Sequence, residues 1–198
     1  MNRRGPYAKG IAKREEIIAA ALDTVARVGC RNASNREIAD RVGLSQAGLM
    51  HYFGSREELL VAVLAARDER DYQLRFAENP TFDGYIDIIV NNTTVPGLVQ
   101  LYVEYSAEAT IPPHPAHEFF AQRFVRVRSL LAGVIERARD AGEFGPALHP
   151  ANAADLVIAA SDGLQVQWLV NRSIDMAERL RELWAALRQV SLSGAARL

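Results

Sequence analysis

The sequence has a single cysteine and no long apolar run. Cys30 cannot form a disulfide within the chain, which excludes a secreted scaffold held together by disulfides and suits a reducing compartment. No stretch approaches the roughly 20 apolar residues of a membrane-spanning helix. The N-terminal segment is charged and lacks the apolar stretch of a secretory signal. We therefore expect a cytoplasmic protein that has no membrane segment.

Sequence motifs of the common enzyme classes are also missing. The chain has no glycine-rich phosphate loop, no nucleophile elbow and no H-E-x-x-H helix. His114, His117 and Glu118 have a spacing that could suit a metal ion, but prolines interrupt the first turn and no cysteine is near. The sequence therefore predicts no enzyme, no cofactor and no metal site.

Helical periodicity extends over most of the 198 residues. With 49% hydrophobic and 24% charged residues, the chain has the balance of a folded globular protein. Apolar residues recur at helical intervals, turn signals separate the segments, and no convincing alternating strand pattern occurs. The first helix should run from about Ala12 to Val28, and Gly29 should end it. The pattern predicts an all-α fold.

The charges are divided unevenly along the chain. Residues 1–56 contain ten Lys and Arg against five Asp and Glu, whereas the remainder contains thirteen against nineteen. A basic head on an acidic body suggests that only the head approaches phosphates. The basic arm that precedes and opens the first helix could reach a DNA groove or could be a solvated tail, and the sequence leaves both open. Its basic residues are Arg3, Arg4, Lys9, Lys13 and Arg14.

Residues 34–60 have the pattern of two short helices joined by a glycine turn and followed by a third helix. Ser34 and Ser55 each stand three residues before a glutamate, which is the capping-box spacing at the start of a helix. Between them, Ser45 begins a helix that ends at Gly54. This is the order of a helix-turn-helix, in which the second short helix lies in the major groove with its first side chains at base edges.

The exposed positions of that second helix should be Gln46, Ala47, Gly48 and His51. Gln46 can form a bidentate hydrogen bond with adenine. The small side chains of Ala47 and Gly48 would let the helix approach the bases closely. These residues are therefore the candidates for reading the sequence of double-stranded DNA.

The segment resembles the TetR family of transcriptional regulators, whose pattern is a capped IA-x-x-x-G-[VL]-[ST] run, an aromatic pair and a helix start of the form [ST]-[KR]-E-x-L. The resemblance is specific over roughly residues 13–65. Two residues depart from the pattern: the family frequently has an aromatic residue or Arg at the position of His51, and frequently has Pro at the position of Gly54. The residues that fit are Ile38, Ala39, Gly43, Leu44, Ser45, Tyr52, Phe53, Ser55, Arg56, Glu57 and Leu59.

The resemblance implies two groups of contacts with operator DNA: phosphate contacts by Ser34, Ser45, Tyr52 and Arg56, and base contacts by Gln46, Ala47, Gly48 and His51. The two serines would cap their helices with or without DNA, so a phosphate contact would add to a structural role. Phe53 is expected in the core. The hydroxyl of Tyr52 needs a hydrogen-bond partner, which makes Tyr52 the better candidate for DNA.

The C-terminal part of the chain contains two helices that need to be covered. Residues 151–170 are apolar on nearly every side, and the helix after them is amphipathic. Two such helices from each of two subunits would form a four-helix interface, which matches the usual dimer of the family. The same residues could instead form the core of a monomer. We predict a homodimer whose interface includes Ala159, Gly163, Leu180 and Trp184.

The helices between Phe82 and Ala141 carry aromatic residues beside polar groups that a dry core would not favour. Tyr102 and Tyr105 share one helical face. Asp162 and Gln165 interrupt the apolar segment at residues 151–170. Most of the aromatic rings could also be core residues. We predict a pocket for a small-molecule effector lined by Tyr102, Tyr105, Phe124, Asp162 and Gln165.

The predicted organisation is a DNA-binding domain at residues 1–60, a long connecting helix at about 55–77 and an effector-binding and dimerisation domain at 78–198. The expected function is that of a repressor that a small molecule releases from a pseudo-palindromic operator. Three alternatives remain open: a ligand-independent DNA-binding regulator or activator of the same fold, a helical dimer with no nucleic-acid role, and a helical enzyme.

Overall fold

The structure is a computed structural model that describes residues 6–78 and 80–195, with side chains for 8–78 and 80–193. Within these ranges the regular secondary structure is entirely helical, which confirms the predicted all-α fold. The helices are α1 (Pro6–Val28), α2 (Asn35–Arg41), α3 (Gln46–Phe53), α4 (Arg56–Arg75), α5 (Phe82–Asn92), α6 (Pro96–Glu108), α7 (Ala116–Asp140), α8 (Pro150–Val170) and α9 (Met176–Ala195).

The first helix begins earlier than predicted, at Pro6 instead of Ala12. Proline is accepted in the first turn because the N–H that it lacks would have no partner within the helix. Arg3 and Arg4 lie outside the described residues. Lys13 contacts its own chain, because its Nζ donates to the carbonyl of Val42 at 2.6 Å.

The contacts divide the chain into two compact units. The first unit ends at Arg70 and also includes Val95–Phe119, whereas the second consists of Asp71–Thr94 and the chain from Phe120 onward. Two of the three boundaries fall inside helices, α4 and α7, and the third falls between α5 and α6. The sequence-based division at residue 78 follows chain order, but in the structure α6 belongs to the same unit as the N-terminal helices.

The core of the first unit forms where α1 packs against α2 and α6, and where α2 packs against α3. Ile17, Val25, Ile38 and Leu49 are fully buried there. At Gly97, near the start of α6, an added Cβ would lie 2.2 Å from the carbonyl oxygen of Val25. The two helices therefore approach so closely that only a glycine fits at this point.

The core of the second unit is formed by α7 and α8, with partly buried side chains from α5 and α9 around it. Leu131, Ile135, Ala154 and Val157 are almost completely buried in this cluster. In the part of the chain that the structure describes, no helix is both long and apolar enough to cross a membrane.

Candidate nucleic-acid interface

The two short helices of the predicted helix-turn-helix begin at serine caps. The Oγ of Ser34 accepts a hydrogen bond from the N–H of Glu37 at 3.0 Å, and the Oγ of Ser45 accepts one from the N–H of Gly48 at 3.0 Å. Each cap satisfies a backbone donor that the first turn leaves without a helical partner. Both serines are exposed, so they fix the starts of α2 and α3 at the protein surface.

A glycine in a left-handed conformation ends α3. Gly54 has φ = 72°, and its N–H donates to the carbonyl of Met50 at 2.8 Å. A proline here would have the wrong φ and no N–H to donate. The departure from the family pattern at this position therefore has a structural reason, since this particular turn requires glycine.

The side chains of α3 divide into a buried and an exposed face. Leu49 and Phe53 are buried and hold the helix on the core, which confirms the prediction for Phe53. Gln46, Ala47 and His51 are exposed on the other face. Three of the four candidate base-contacting residues, all except Gly48, are therefore exposed to solvent.

Two further predicted residues lie beside this exposed face. Tyr52 is half-buried, with its ring centroid 6.1 Å from that of His51 in an edge-on arrangement. Gly48 lies in the first turn, where an added Cβ would be 3.3 Å from the Oγ of Ser45. Because Gly48 has no side chain, nothing crowds the capping Oγ of Ser45, and no side chain projects from this point of the exposed face of α3.

Arg56 has a different environment from the one predicted. Its guanidinium donates to the Oδ1 of Asn35 and to the carbonyl oxygens of Cys30 and Ala33, each at 2.6 Å. These bonds connect the start of α4 to the segment between α1 and α2. Arg56 therefore stabilises the internal geometry of the helix-turn-helix, and these three bonds use part of the hydrogen-bonding capacity of its guanidinium.

Sequence reasoning did not select Arg36, in the first turn of α2. The side chain of Arg36 is 79% exposed, and its Nε lies 3.8 Å from a carboxylate oxygen of Asp40, a distance too long for a hydrogen bond. The position could have been found from the sequence, because Arg36 directly precedes the capping glutamate and lies opposite the apolar face of Ile38.

Cys30 is buried next to a carboxylate. Its Sγ donates to the Oε2 of Glu104 at 3.2 Å, and the side chain of Gln100 donates to the other oxygen of Glu104 at 3.0 Å. Burial, and then the hydrogen bond and charge of Glu104, raise the pKa of the Cys30 thiol to about 11. The thiol is therefore protonated and unreactive at neutral pH, which is the opposite of what a redox sensor needs.

His114, in the loop between α6 and α7, and His117, in the first turn of α7, also have structural partners. The Nδ1 of His114 accepts from the N–H of Ala116 at 3.1 Å, and its Nε2 lies 3.0 Å from the carboxylate of Glu108. The Nδ1 of His117 lies 2.8 Å from the carbonyl oxygen of Ala109. These bonds hold the proline-rich loop in shape.

Two family models match this chain. The model described as bacterial regulatory proteins of the tetR family matches residues 17–63, which contain α2 and α3. The model described as the C-terminal part of BetI-type transcriptional repressors matches residues 93–190. The chain belongs to the TetR family. It is therefore a DNA-binding transcriptional regulator rather than an enzyme.

Similar TetR-family proteins match this chain to different extents. The transcriptional regulator RutR of Escherichia coli K12 is 42% identical over 53 residues, which are 27% of this chain and about a quarter, 25%, of RutR. The regulator BetI of Rhizobium meliloti is 29% identical over 165 residues, covering 78% of this chain and 77% of BetI.

A solved structure has the same fold. The crystal structure of a putative transcriptional regulator from Saccharomonospora viridis in complex with choline superposes with a TM-score of 0.68 at 21% identity, covering 87% of this chain and 94% of that chain. This likeness extends beyond the helix-turn-helix of the TetR family to the helices that follow it.

The residues predicted to bind an effector in this TetR-family protein fall in both units. Tyr102 and Tyr105 are buried in the first unit, whereas Phe124, Asp162 and Gln165 lie in the second. In the second unit, the side chain of Gln165 is 3.4 Å from the carbonyl oxygen of Ser161. The predicted set is therefore not one cluster inside a single unit.

Tyr85, which was not in the predicted set, lies with the polar residues of the second unit. Its hydroxyl is 2.7 Å from the Oγ of Ser161, which also bonds to the carbonyl of Val157 at 2.9 Å. Burial, only partly offset by the bond to Ser161, raises the pKa of Tyr85 to about 12. These bonds place a hydrogen-bonded polar group beside the apolar core cluster of the second unit.

The predicted dimer residues have different exposures. Ala159 and Gly163 are exposed on α8. Leu180 is only 1% exposed, so its own chain already covers it and it has no surface to offer to a partner. Trp184 is partly buried, stacked on Phe82 with 3.9 Å between ring centroids.

Proposed function

We propose that this TetR-family regulator is a homodimeric repressor that binds a pseudo-palindromic operator in the bacterial cytoplasm and releases it when a small molecule binds. The observation that carries the proposal is the exposed face of α3, where Gln46, Ala47 and His51 stand free of the core. A helix presented in this way fits the major groove with its N-terminal side chains at base edges.

The contacts with DNA follow from the chemistry of this surface. Gln46 would bond to an adenine, and the low surface at Ala47 would bring α3 close to the bases. Ser34, Ser45 and Tyr52 remain proposed phosphate contacts. Arg36 takes the role first assigned to Arg56, because its guanidinium is largely exposed whereas that of Arg56 is bonded to backbone carbonyls.

The dimer is supported by an apolar stripe along α8. Leu156, Ala159, Gly163, Val166 and Val170 follow one another at alternating intervals of three and four residues. The larger side chains among them are exposed, at 54% for Leu156 and 87% for Val170. A stripe with this spacing is the contact seam of paired helices, and exposed apolar surface of this kind marks an interface. Leu180, which the chain itself buries, is left out of the proposed interface.

The release by an effector is supported by the polar group inside the second unit. Tyr85, Ser161 and Gln165 offer hydrogen bonds among apolar side chains. A structural neighbour is known in complex with choline, which makes choline a reasonable first compound to test. Helix α4 runs without interruption through residues 70 and 71, where the two units divide, so a change in one unit can reach the other through it.

Mobility shifts on the DNA flanking the coding sequence test the first part of the proposal. Wild-type protein should bind one site specifically, and Gln46→Ala should lose about 1 to 3 kcal/mol on that site and tolerate more bases at one position of each half-site. A uniform loss of affinity on all sequences would remove Gln46 from the base-contacting set.

Calorimetry tests the release. If an effector weakens the binding of the operator, linkage requires that the operator weaken the binding of the effector to the same degree. This coupling is about 1 to 3 kcal/mol in typical cases. Choline is titrated into the free protein and into its operator complex, followed by other small molecules if choline does not bind. A compound that binds the second unit equally well in both states would favour the ligand-independent alternative.

A further inference from the structure

The second unit contains an open cleft that the proposed function does not use. Its volume is about 800 Å³, and it lies between the start of α5, the last turns of α7 and one side of α9. Its apolar surface is formed by Val134, Ala138, Ala185, Leu192 and the ring of Trp184. A cleft of this volume is large enough for a drug-sized molecule.

The indole ring of Trp184, which forms part of the cleft wall, is held in place by two other aromatic rings. Trp184 is stacked on Phe82 at an angle of 12°, and the ring of Phe144 meets it edge-on with 5.0 Å between centroids. Such contacts fix the orientation of the indole before any ligand arrives, which lowers the entropic cost of binding a flat molecule.

Three arginines line the same cleft: Arg137, Arg181 and Arg188. Arg188 lies 3.9 Å from Glu143, and Arg181 lies 3.9 Å from Glu178, distances at which the ion pair is not closed by a hydrogen bond. Arg137 donates to the carbonyl of Pro80 at 2.7 Å, which uses one of the five N–H groups of a guanidinium. Donors for an anion are therefore present beside the apolar wall.

The N-terminus of α5 adds partial positive charge to the arginine side of the cleft. Thr81 caps the helix by accepting from the N–H of Gly84 at 3.2 Å, and both Thr81 and Phe82 line the cleft. The partial positive charge at a helix N-terminus stabilises a nearby anion. Asp83 and Glu143 are the acidic residues of the lining, so the arginines outnumber the carboxylates.

We infer that this cleft binds an amphipathic anion, namely an aromatic carboxylate or sulfonate whose ring packs on Trp184 and whose acid group pairs with Arg181 and Arg188. A cationic ligand such as a quaternary ammonium would be repelled by the same arginines. The site is separate from the proposed α8 interface, because no residue of α8 lines the cleft. It does not depend on the proposed effector site at Tyr85 and Ser161.

Two fluorescent probes with the same aromatic skeleton test the inference. Anilinonaphthalene sulfonate carries the negative charge, and N-phenylnaphthylamine is its neutral counterpart. Arg181→Gln and Arg188→Gln should each weaken sulfonate binding at least fivefold and change binding of the neutral probe less than twofold. Arg70→Gln removes the same charge from an exposed position outside the cleft and should leave both affinities unchanged.

Substitution of Ala185 provides a second test within the cleft. Ala185 is exposed, so a longer side chain does not disturb the core, and circular dichroism would verify this. Ala185→Glu should abolish sulfonate binding at concentrations that saturate the wild type, whereas Ala185→Lys, of similar length, should retain it. Equal losses in both Ala185 variants, or unchanged sulfonate affinity in both arginine variants, would overturn the inference.

Discussion

Two arginines of the helix-turn-helix look equivalent in the sequence but have opposite surroundings. We expect Arg36→Gln to leave stability unchanged and to lower the salt dependence of operator binding by about one unit of slope, because one phosphate contact releases about one counterion. Arg56→Ala should instead lower the free energy of unfolding, by about 1 to 3 kcal/mol, because the carbonyls of Cys30 and Ala33 would lose their donor.

Salt-dependent binding measurements and urea denaturation of both variants distinguish these roles. The discriminating result is the pattern across the pair. Suppose that Arg56→Ala is as stable as the wild type and lowers the slope of the salt dependence of operator binding by about one unit. The phosphate contact would then belong to Arg56, and the proposed role of Arg36 would be wrong.

The environment of Cys30 predicts a slow reaction with alkylating agents. Since its pKa is raised from 9.0 to about 11, the folded protein should show no plateau in the rate of iodoacetamide alkylation up to pH 10, whereas the protein unfolded in urea should titrate near its ordinary value. The raised pKa also means that stability falls as pH rises from 9 to 11, since the unfolded chain then loses its proton first.

Glu104→Gln provides the control for Cys30, since it removes the neighbouring charge and leaves the burial. The variant should titrate at lower pH than the wild type but above the unfolded chain, because burial is the largest cause of the shift. A folded wild-type thiol that alkylates with a midpoint at or below pH 9 would contradict the account.

At the scale of helices, the close approach of α1 and α6 depends on Gly97. A methyl group there would lie 2.2 Å from a backbone oxygen, so the helices must separate. We expect Gly97→Ala to lower the free energy of unfolding by about 1 to 3 kcal/mol. Chemical denaturation measures the change.

Gly133, inside α7, is the matched control, because the nearest atom to an added Cβ is the flexible end of Arg137 at 3.5 Å. Gly133→Ala should raise the free energy of unfolding by about 0.5 to 1 kcal/mol, since alanine loses less backbone entropy in a helix. A Gly97→Ala variant as stable as Gly133→Ala would mean that α1 and α6 have room to spare.

The helices and their ends were largely predictable, because caps, glycines and apolar spacing are local properties of the sequence. Ser34, Ser45 and Gly54 each fix a helix end through atoms only a few residues away. The apolar periodicity predicts the start of α1 too late, because the helix begins with a proline, which the first turn of a helix accepts. The same local pattern also predicts the exposed face of α3, which carries Gln46, Ala47 and His51.

Partners distant in the chain were not predictable in this way. The sequence pattern around Arg56 does not reveal its three acceptors, which lie 21 to 26 residues away and come into reach only when α1, α2 and α4 have packed. The grouping of α6 with the N-terminal helices likewise depends on a contact between Gly97 and Val25. Leu180 was assigned to a dimer interface because helical periodicity identifies an apolar face without saying which chain covers it.

At the scale of the whole molecule, the proposed dimer depends on the stripe of α8, and Gly163 allows a test that does not disturb the subunit. Within one chain, an added Cβ at Gly163 meets no atom within 4 Å. Gly163→Arg should therefore leave each subunit folded but place a charge in the centre of the interface. We expect a monomer by light scattering, retained helicity by circular dichroism and loss of operator binding, since one helix-turn-helix contacts too few bases.

Ala151→Arg is the control for this last experiment. Ala151 is also exposed on α8, but it lies about 120° from Gly163 around the helix axis and outside the stripe. This variant should remain dimeric and bind the operator as the wild type does. A Gly163→Arg protein that stays dimeric with wild-type affinity would show that the two subunits meet elsewhere. A monomeric Ala151→Arg protein would extend the interface beyond the stripe, because a single row of small and aliphatic side chains could not then account for it.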